Sequence, residues 1–275
     1  MWLCLALGLV PLFAVMGQML VSGVPALSWG FFTDLPPLDP MSYGGGIGNA
    51  LVGPLVLLGI ATAIAAPAGI LTALFLSESA TSASRSLRRV ASGLGFLVDI
   101  LLGVPSIVAG LTVYLGIVIA QGHFSALAGA IALSVLMFPV VVRAADEVLR
   151  LVPTPHKEAA LALGAPRWRL AWSVVLPAAA PGILTGVMLA AARAAGETAP
   201  LIFTALGSGN IPTSINIFEP IAALPKLIFD NTIMSQTPAS LRFSWGAALV
   251  LVTMILVLNL GARFIARKAP GLETP

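Results

Sequence analysis

Charged side chains are scarce in this 275-residue chain, where Asp, Glu, Lys and Arg make up only 9% of the residues and hydrophobic residues 58%. A soluble domain is about one-quarter charged, so this composition excludes an ordinary soluble fold. Several uncharged apolar runs exceed the ~20 residues that span the hydrocarbon core of a bilayer. The composition therefore predicts an all-α integral membrane protein.

Residues that carry most enzyme and metal chemistry are also rare. Cys4 is the single cysteine, which excludes an intrachain disulfide and a metal site made of cysteines. His123 and His156 have no Asp, Glu or Cys at ligand spacing, so a metal site or catalytic triad has little support. The glycines at 44–48 are not followed by Lys-Ser or Lys-Thr, so we exclude a Walker-type nucleotide site. We expect no catalytic residues, no metal and no cofactor bound by this chain.

Six hydrophobic segments are each long enough to cross a membrane as a helix. We predict spans over residues 2–21, 48–76, 94–120, 125–142, 182–203 and 243–265. Together they should form one transmembrane domain over residues 1–275. No Lys or Arg precedes the first span, so it lacks the basic region of a cleaved signal peptide and we expect it to be retained. The sequence leaves open a start codon upstream of Met1.

Basic residues predict the orientation of these spans, because Lys and Arg are retained on the cytoplasmic side. They cluster after the second span, after the fourth span and in the tail: Arg85, Arg88, Arg89; Arg143, Arg150, Lys157, Arg167, Arg169; Arg263, Arg267, Lys268. Residues 22–47 contain no Lys or Arg, and the fifth-to-sixth connector balances two basic residues with two acidic ones. Both termini are therefore predicted to be cytoplasmic.

A spaced pattern stands out in the predicted cytoplasmic loop at about residues 150–177. Glu158, Ala159 and Ala160 are followed after three residues by Gly164, and after nine more by a Val-Val-Leu-Pro sequence ending at Pro177. The spacing resembles the signature of ABC importer permeases, with Val at 174 in place of Ile. In that family the loop inserts a coupling helix into a cleft of the ATP-hydrolysing subunit. The alternative is an ordinary connector between two membrane helices.

The residues of this loop suit a short helix on physical grounds alone. Thr154 can cap a helix whose first position is Pro155, and Gly164 followed by Pro166 supplies a stop. The helix would have two to three turns. A helix of that length is marginal alone and needs a partner to stabilise it. The resemblance implies a six-helix ABC importer permease-type bundle with a cytoplasmic coupling helix.

Three further segments, at 103–108, 193–204 and 222–225, resemble the PstA family of phosphate-importer permeases. The pair Ala199-Pro200 favours PstA over PstC, its partner permease. The resemblance implies import of inorganic phosphate across the bacterial inner membrane, together with a PstC-like permease, a PstB-like ATPase dimer and a PstS-like phosphate-binding protein. ATP and Mg would be bound by the ATPase. A permease for another oxyanion, such as sulfate or molybdate, is the alternative.

Two charged residues, Arg193 and Glu197, interrupt the fifth hydrophobic segment. An Arg at the bilayer centre costs at least ~2.5 kcal/mol, so it normally has a polar partner or a watery cavity. Their four-residue spacing would place both on one helical face. The resemblance matches them to charged positions associated with transport, so we favour a site on the translocation pathway. A structural ion pair buried between helices is the alternative.

Asp99 and Arg143 are the candidates for an inner gate or inner pathway. Asp99 lies near the predicted cytoplasmic end of the third span, where we favour a structural role, as a helix cap or a partner for Arg88 or Arg89, over a part in the gate. Arg143 lies near the cytoplasmic end of the fourth span and matches a family arginine. Its position is explained equally well by the retention of basic residues inside.

Two packing features complete the expectations. Gly182 and Gly186 form a small-residue face at the start of the fifth span, which predicts close packing against another helix. The amphipathic run at 217–229 either lies along the outer membrane interface or packs across the bundle, and its periodicity does not distinguish these.

Overall fold

The computed structural model of the protein describes residues 2–37, 44–80, 84–209, 216–235 and 237–268. Its α-helices are α1 (Trp2–Gly23), α2 (Trp29–Thr33), α3 (Val52–Ala80), α4 (Arg85–Gly103), α5 (Ser106–Val113), α6 (Ile119–Gln121), α7 (Ala126–Leu151), α8 (Thr154–Ala162), α9 (Arg167–Leu170), α10 (Leu176–Ala195), α11 (Ala199–Thr204), α12 (Leu224–Asp230) and α13 (Pro238–Lys268). Short 3₁₀ or π-helical turns precede or continue several of them. Within the described ranges the fold is helical, as predicted.

Five helical segments are long and apolar enough to cross a membrane, namely Leu7–Ala26, Gly48–Ala80, Ala126–Leu151, Arg167–Ala195 and Pro238–Phe264. A bent pair, Arg85–Gly103 with Ser106–Gln121, makes a sixth if it counts as one span. The predicted number of spans is therefore confirmed with that pair included. Their bounds differ from the predicted ones at several ends.

The third span is not one continuous helix from 94 to 120, so that part of the prediction is wrong. Its two halves meet at a bend of 103°. Val104 and Pro105 are both extended between them, with ψ of 127° and 136°. Proline disfavours the helical conformation of the residue before it, so α4 ends at Gly103 and a new helix begins after Pro105.

The fifth span is also wrong in its bounds. The helical segment begins at Arg167 and ends at Ala195, not at 182 and 203. A π-helical turn at Ala171–Val175 joins α9 to α10, so Pro177 enters at the start of α10 without ending the helix. Residues 196–198 then separate α10 from α11.

Helix α7 occupies the centre of the bundle and packs against α3, α4, α5 and α10. Small residues allow α10 to approach it closely: a Cβ added at Gly186 would lie 2.5 Å from the Cβ of Ala144, and one at Gly182 would lie 2.5 Å from Val148 Cγ1. The predicted packing role of Gly182 and Gly186 is therefore confirmed. Close backbone approach of this kind is a main source of helix association in membranes.

The first turn of α7 is held by backbone carbonyls from distant parts of the chain. Ser125 N–H donates to Thr204 O, Ala126 N–H to Glu219 O and Leu127 N–H to Ile217 O, while the Ser125 hydroxyl accepts from Ala128 N–H. The first amides of a helix have no partner within it, so this end would be costly to bury without such bonds.

The connector after α11 runs partly into the bundle, although Phe218, Glu219 and Pro220 are exposed. Residues 221–225 are buried, and α12 packs against α13. Of the two alternatives for the run at 217–229, the structure supports packing across the bundle.

Candidate functional site

The coupling segment forms the predicted short helix, α8, over nine residues. The predicted cap is wrong by one position, because Pro153 takes the N-cap place with extended backbone and Thr154 is already helical. Pro155 is the second helical residue, where its missing N–H has no cost.

Gly164 ends α8 as predicted. Its φ is +78°, which a residue with a Cβ rarely adopts. Gly164 N–H donates to Leu161 O, and Ala165 N–H donates to Ala160 O. This pair of bonds is the Schellman arrangement, which satisfies carbonyls that the helix leaves unpaired. The spacing between Ala160 and Gly164 thus has a direct structural cause.

One side of α8 packs on the protein and the other is exposed. Ala160 contacts the apolar cluster that contains Leu149 and Leu170, whereas Glu158 and Ala159 are exposed. Leu163 is 88% exposed just before Gly164. Leu151, Leu161 and Trp168 are also exposed nearby. Clustered apolar side chains outside the bundle are typical of a protein contact surface.

Arg193 and Glu197 lie close together, but not on one helical face. Arg193 is in the last turn of α10, whereas Glu197 follows the end of that helix, so the expectation of a shared face is wrong. The reason is the break at Gly196, whose N–H bonds to Arg193 O. A cation in the last turn of a helix also interacts favourably with the helix dipole.

The contact between these two charges is long. Arg193 Nε lies 3.9 Å from Glu197 Oε1, and the Arg193 side chain is 58% exposed against 20% for Glu197. Ion pairs with this much exposure contribute little stability. Leu189, one turn earlier on α10, is exposed as well. Arg193 therefore belongs to a face of α10 that the described residues leave uncovered.

Asp99 and Arg143, the two inner candidates, contact each other. Arg143 donates from Nε to Asp99 Oδ1 at 2.8 Å and from Nη2 to Gly95 O at 3.0 Å. The pair thus ties α4 to α7, four residues before α4 ends at its bend. Arg143 was not among the partners expected for Asp99, which were Arg88 and Arg89.

A second carboxylate extends this pair into a network that the sequence reasoning missed. Asp146, only 5% exposed at its side chain, lies 3.9 Å from Arg143 Nη1 and accepts from Arg150 Nε at 3.0 Å. The spacing Arg-x-x-Asp-x-x-x-Arg within an apolar helix was the available signal, because three- and four-residue separations bring side chains together on a helix.

The described residues contain no group of three or more His, Cys, Asp or Glu side chains arranged to hold a metal ion. The candidate site residues instead form three separate sets on the bundle: the exposed coupling helix, the α4–α7 network and the Arg193–Glu197 pair.

A helical bundle with an exposed coupling helix after its central helix is the architecture of ABC importer permeases. Residues 65–269 match the family described as binding-protein-dependent transport system inner membrane component. A chain of the MetNI methionine ABC transporter, in inward-facing conformations, superposes with a TM-score of 0.62 at 19% identity, covering 81% of this chain and 93% of that one. At this identity the superposition shows the fold alone.

Among curated proteins, the phosphate transport system permease protein PstA of Xylella fastidiosa (strain Temecula1) is 43% identical over 242 residues, covering 88% of this chain and 81% of the relative. PstA of Yersinia pestis is 40% identical over 261 residues, covering 95% and 85%. The chain therefore belongs to the PstA family of binding-protein-dependent transport permeases.

Proposed function

We propose that this chain is the transmembrane permease subunit of an ATP-driven importer of inorganic phosphate. The observation that carries this proposal is its 43% identity to a phosphate transport system permease over most of both chains. The exposed Arg193 adds a physical reason, because a guanidinium on an uncovered membrane face can attract an oxyanion.

The translocation pathway would form between this chain and a second, PstC-like permease. The uncovered face of α10, with Leu189 and Arg193, supports this arrangement. A PstS-like binding protein would deliver phosphate from outside. The permease itself would be non-catalytic, and a PstB-like ATPase dimer would bind ATP and Mg. Both termini would lie in the cytoplasm of a bacterial inner membrane, in keeping with the distribution of Lys and Arg.

Coupling would use the exposed side of α8. Glu158, Ala159 and Leu163 would enter a cleft of the ATPase, while Ala160 and the turn at Gly164 fix the helix on the bundle. Closure of the ATPase dimer would move α8 and, through α9 and the π turn, the helix that carries Arg193. Pro177 lies at the start of that helix.

In this mechanism Arg193 attracts the anion, and Glu197 neutralises Arg193 between transport cycles. The distance of 3.9 Å between their charged groups suits this role, because a loose pair can separate when an anion enters. Glu197 would thereby limit how tightly phosphate is held and keep its release fast. Asp99 and Arg143 would act nearer the cytoplasmic end, as a contact between α4 and α7.

The test is ATP-dependent uptake of labelled phosphate into vesicles that contain this chain, its partner permease, the ATPase and the binding protein. Wild type is compared with Arg193→Ala and with Arg85→Ala, a control arginine at the start of α4. We expect arsenate but not sulfate to compete, and uptake to be lost only in Arg193→Ala, with the complex still assembled.

Other outcomes would redirect the proposal. Active ATP hydrolysis without phosphate uptake would favour another oxyanion such as sulfate or molybdate. Loss of the Arg193→Ala protein from the membrane would favour a structural ion pair with Glu197, because the substitution leaves a partly buried carboxylate unpaired.

A further inference from the structure

A cavity of about 500 Å³ opens between the ends of α3 and α7 and residues 88–99 of α4. These are the ends joined to the basic loop before α4 and to the coupling loop, so by charge they are the cytoplasmic ends. Leu76 and Ala80 of α3 form one wall, and Ala91 and Phe96 of α4 form another. The cavity is distinct from the Arg193–Glu197 pair and from the exposed side of α8.

Positive charge predominates among the side chains that line this cavity. Three arginines, Arg88, Arg143 and Arg150, face two carboxylates, Asp99 and Asp146. Each carboxylate already accepts a hydrogen bond from an arginine of α7. The five charged groups together carry a net charge of +1. Ser92 also lines the cavity and offers a hydroxyl donor.

Arginines from both helices supply hydrogen-bond donors at the wall of the cavity. Arg150 contacts Asp146 through its Nε, and a guanidinium has four further N–H donors. Arg88, on the facing helix, lines the same cavity. Each guanidinium has a planar fork of N–H donors that can bind two phosphate oxygens at once.

The apolar surroundings favour a phosphate that is attached to a lipid. Phe96 lines the cavity and is 64% exposed, and Val90, Leu97 and Ile100 of α4 are exposed beside it. A free anion gains nothing from these side chains, whereas acyl chains would cover them. Basic pockets between membrane helices on the cytoplasmic side are known sites for anionic headgroups.

We infer that this cavity binds the phosphate of an anionic phospholipid, with Arg88 and Arg150 holding the headgroup and Phe96 contacting the acyl chains. The shared chemistry of the site is a phosphate oxyanion, so inorganic phosphate is the competing occupant that a test must distinguish. The inference does not depend on which substrate the protein transports.

The test uses the complete transporter, purified in mild detergent and stripped of lipid. Native mass spectrometry measures binding of phosphatidylglycerol and of phosphatidylcholine with the same acyl chains. We expect tighter binding of phosphatidylglycerol, and an affinity about fivefold weaker in Arg88→Gln and in Arg150→Gln, the effect of one basic group near an anionic lipid. Arg89→Gln is the matched control, since Arg89 neighbours Arg88 but does not line the cavity.

Three results would overturn the inference. An equal loss in Arg89→Gln would mean diffuse attraction to a basic surface. Equal binding of the two lipids would mean that the charge is not recognised. Displacement of phosphatidylglycerol by millimolar inorganic phosphate, with direct binding of that phosphate lost in Arg88→Gln, would assign the cavity to a free anion. Using two separate variants guards against Arg150→Gln acting only by exposing Asp146.

Discussion

Gly164 allows a quantitative test of how the coupling helix is held. Its φ is +78°, and a Cβ built on it would meet no atom within 4 Å. The Cβ of a new side chain therefore meets no clash, and its cost is conformational, at about 1–2 kcal/mol for an L-residue in the left-handed region. That cost lowers the population of the native helix end by roughly 5- to 30-fold. The C-terminal end of α8 and the turn that follows it should then lose their fixed position.

The expected order of the variants follows from the backbone. Gly164→Val should reduce phosphate-stimulated ATP hydrolysis and retention of the ATPase on the purified complex, while Gly164→Asn should have a milder effect, because Asn tolerates this conformation. Gly93→Val is the control, since Gly93 lies within α4, has open space around it and has no positive φ.

Both effects are measured in a reconstituted complex of both permeases and the ATPase. Equal losses in the Asn and Val variants would refute the conformational argument, because the two side chains are similar in size and Asn tolerates positive φ far better than Val. Wild-type coupling in Gly164→Val would show that the helix end does not matter for docking.

Three further predictions concern packing and charge. Gly186→Ala should lower the melting temperature, because the added Cβ would lie 2.5 Å from a Cβ of α7. Overpacking of this kind costs ~1–3 kcal/mol, against ~1 kcal/mol gained in helix propensity. The control Gly17→Ala, which places its Cβ in open space, should not lower the melting temperature. Asp146→Ala should destabilise the protein by about 1.5–3 kcal/mol in denaturant unfolding, the range for a hydrogen bond to a charged group. Asp99→Ala, at an exposed carboxylate, should cost less than ~1 kcal/mol, and the reverse order would contradict the network. Glu197→Gln should lengthen phosphate retention at unchanged expression, and unaltered uptake and retention would exclude its neutralising role.

Local signals in the sequence predicted the coupling helix well, because everything that forms it lies within a few residues. Gly164 and Pro166 ended the helix where expected, and its length was predicted correctly. Only the cap was misplaced, since Thr154 and Pro153 both fit a helix start and the choice depends on backbone angles. The close-packed glycines of α10 were predicted for the same local reason.

Interactions between distant residues could not be predicted in this way. Asp99 and Arg143 are 44 positions apart, and nothing in either segment indicates that α4 crosses α7 at that point. The bend at Pro105 and the break at Gly196 did have local signals. They were outweighed by the continuous hydrophobicity on both sides, which indicates membrane burial but not a straight helix.

The carbonyls that hold the start of α7 come from residues synthesised much later. Ala126 N–H donates to Glu219 O, so about ninety more residues must leave the ribosome before this bond can form. At roughly 5–20 residues per second, the delay is on the order of 5–20 s. Until then the first turn of α7 has to find water or lipid headgroups for its amides. The start of the central helix is therefore expected to become fixed in the bundle only after the connector that carries Glu219 has been synthesised.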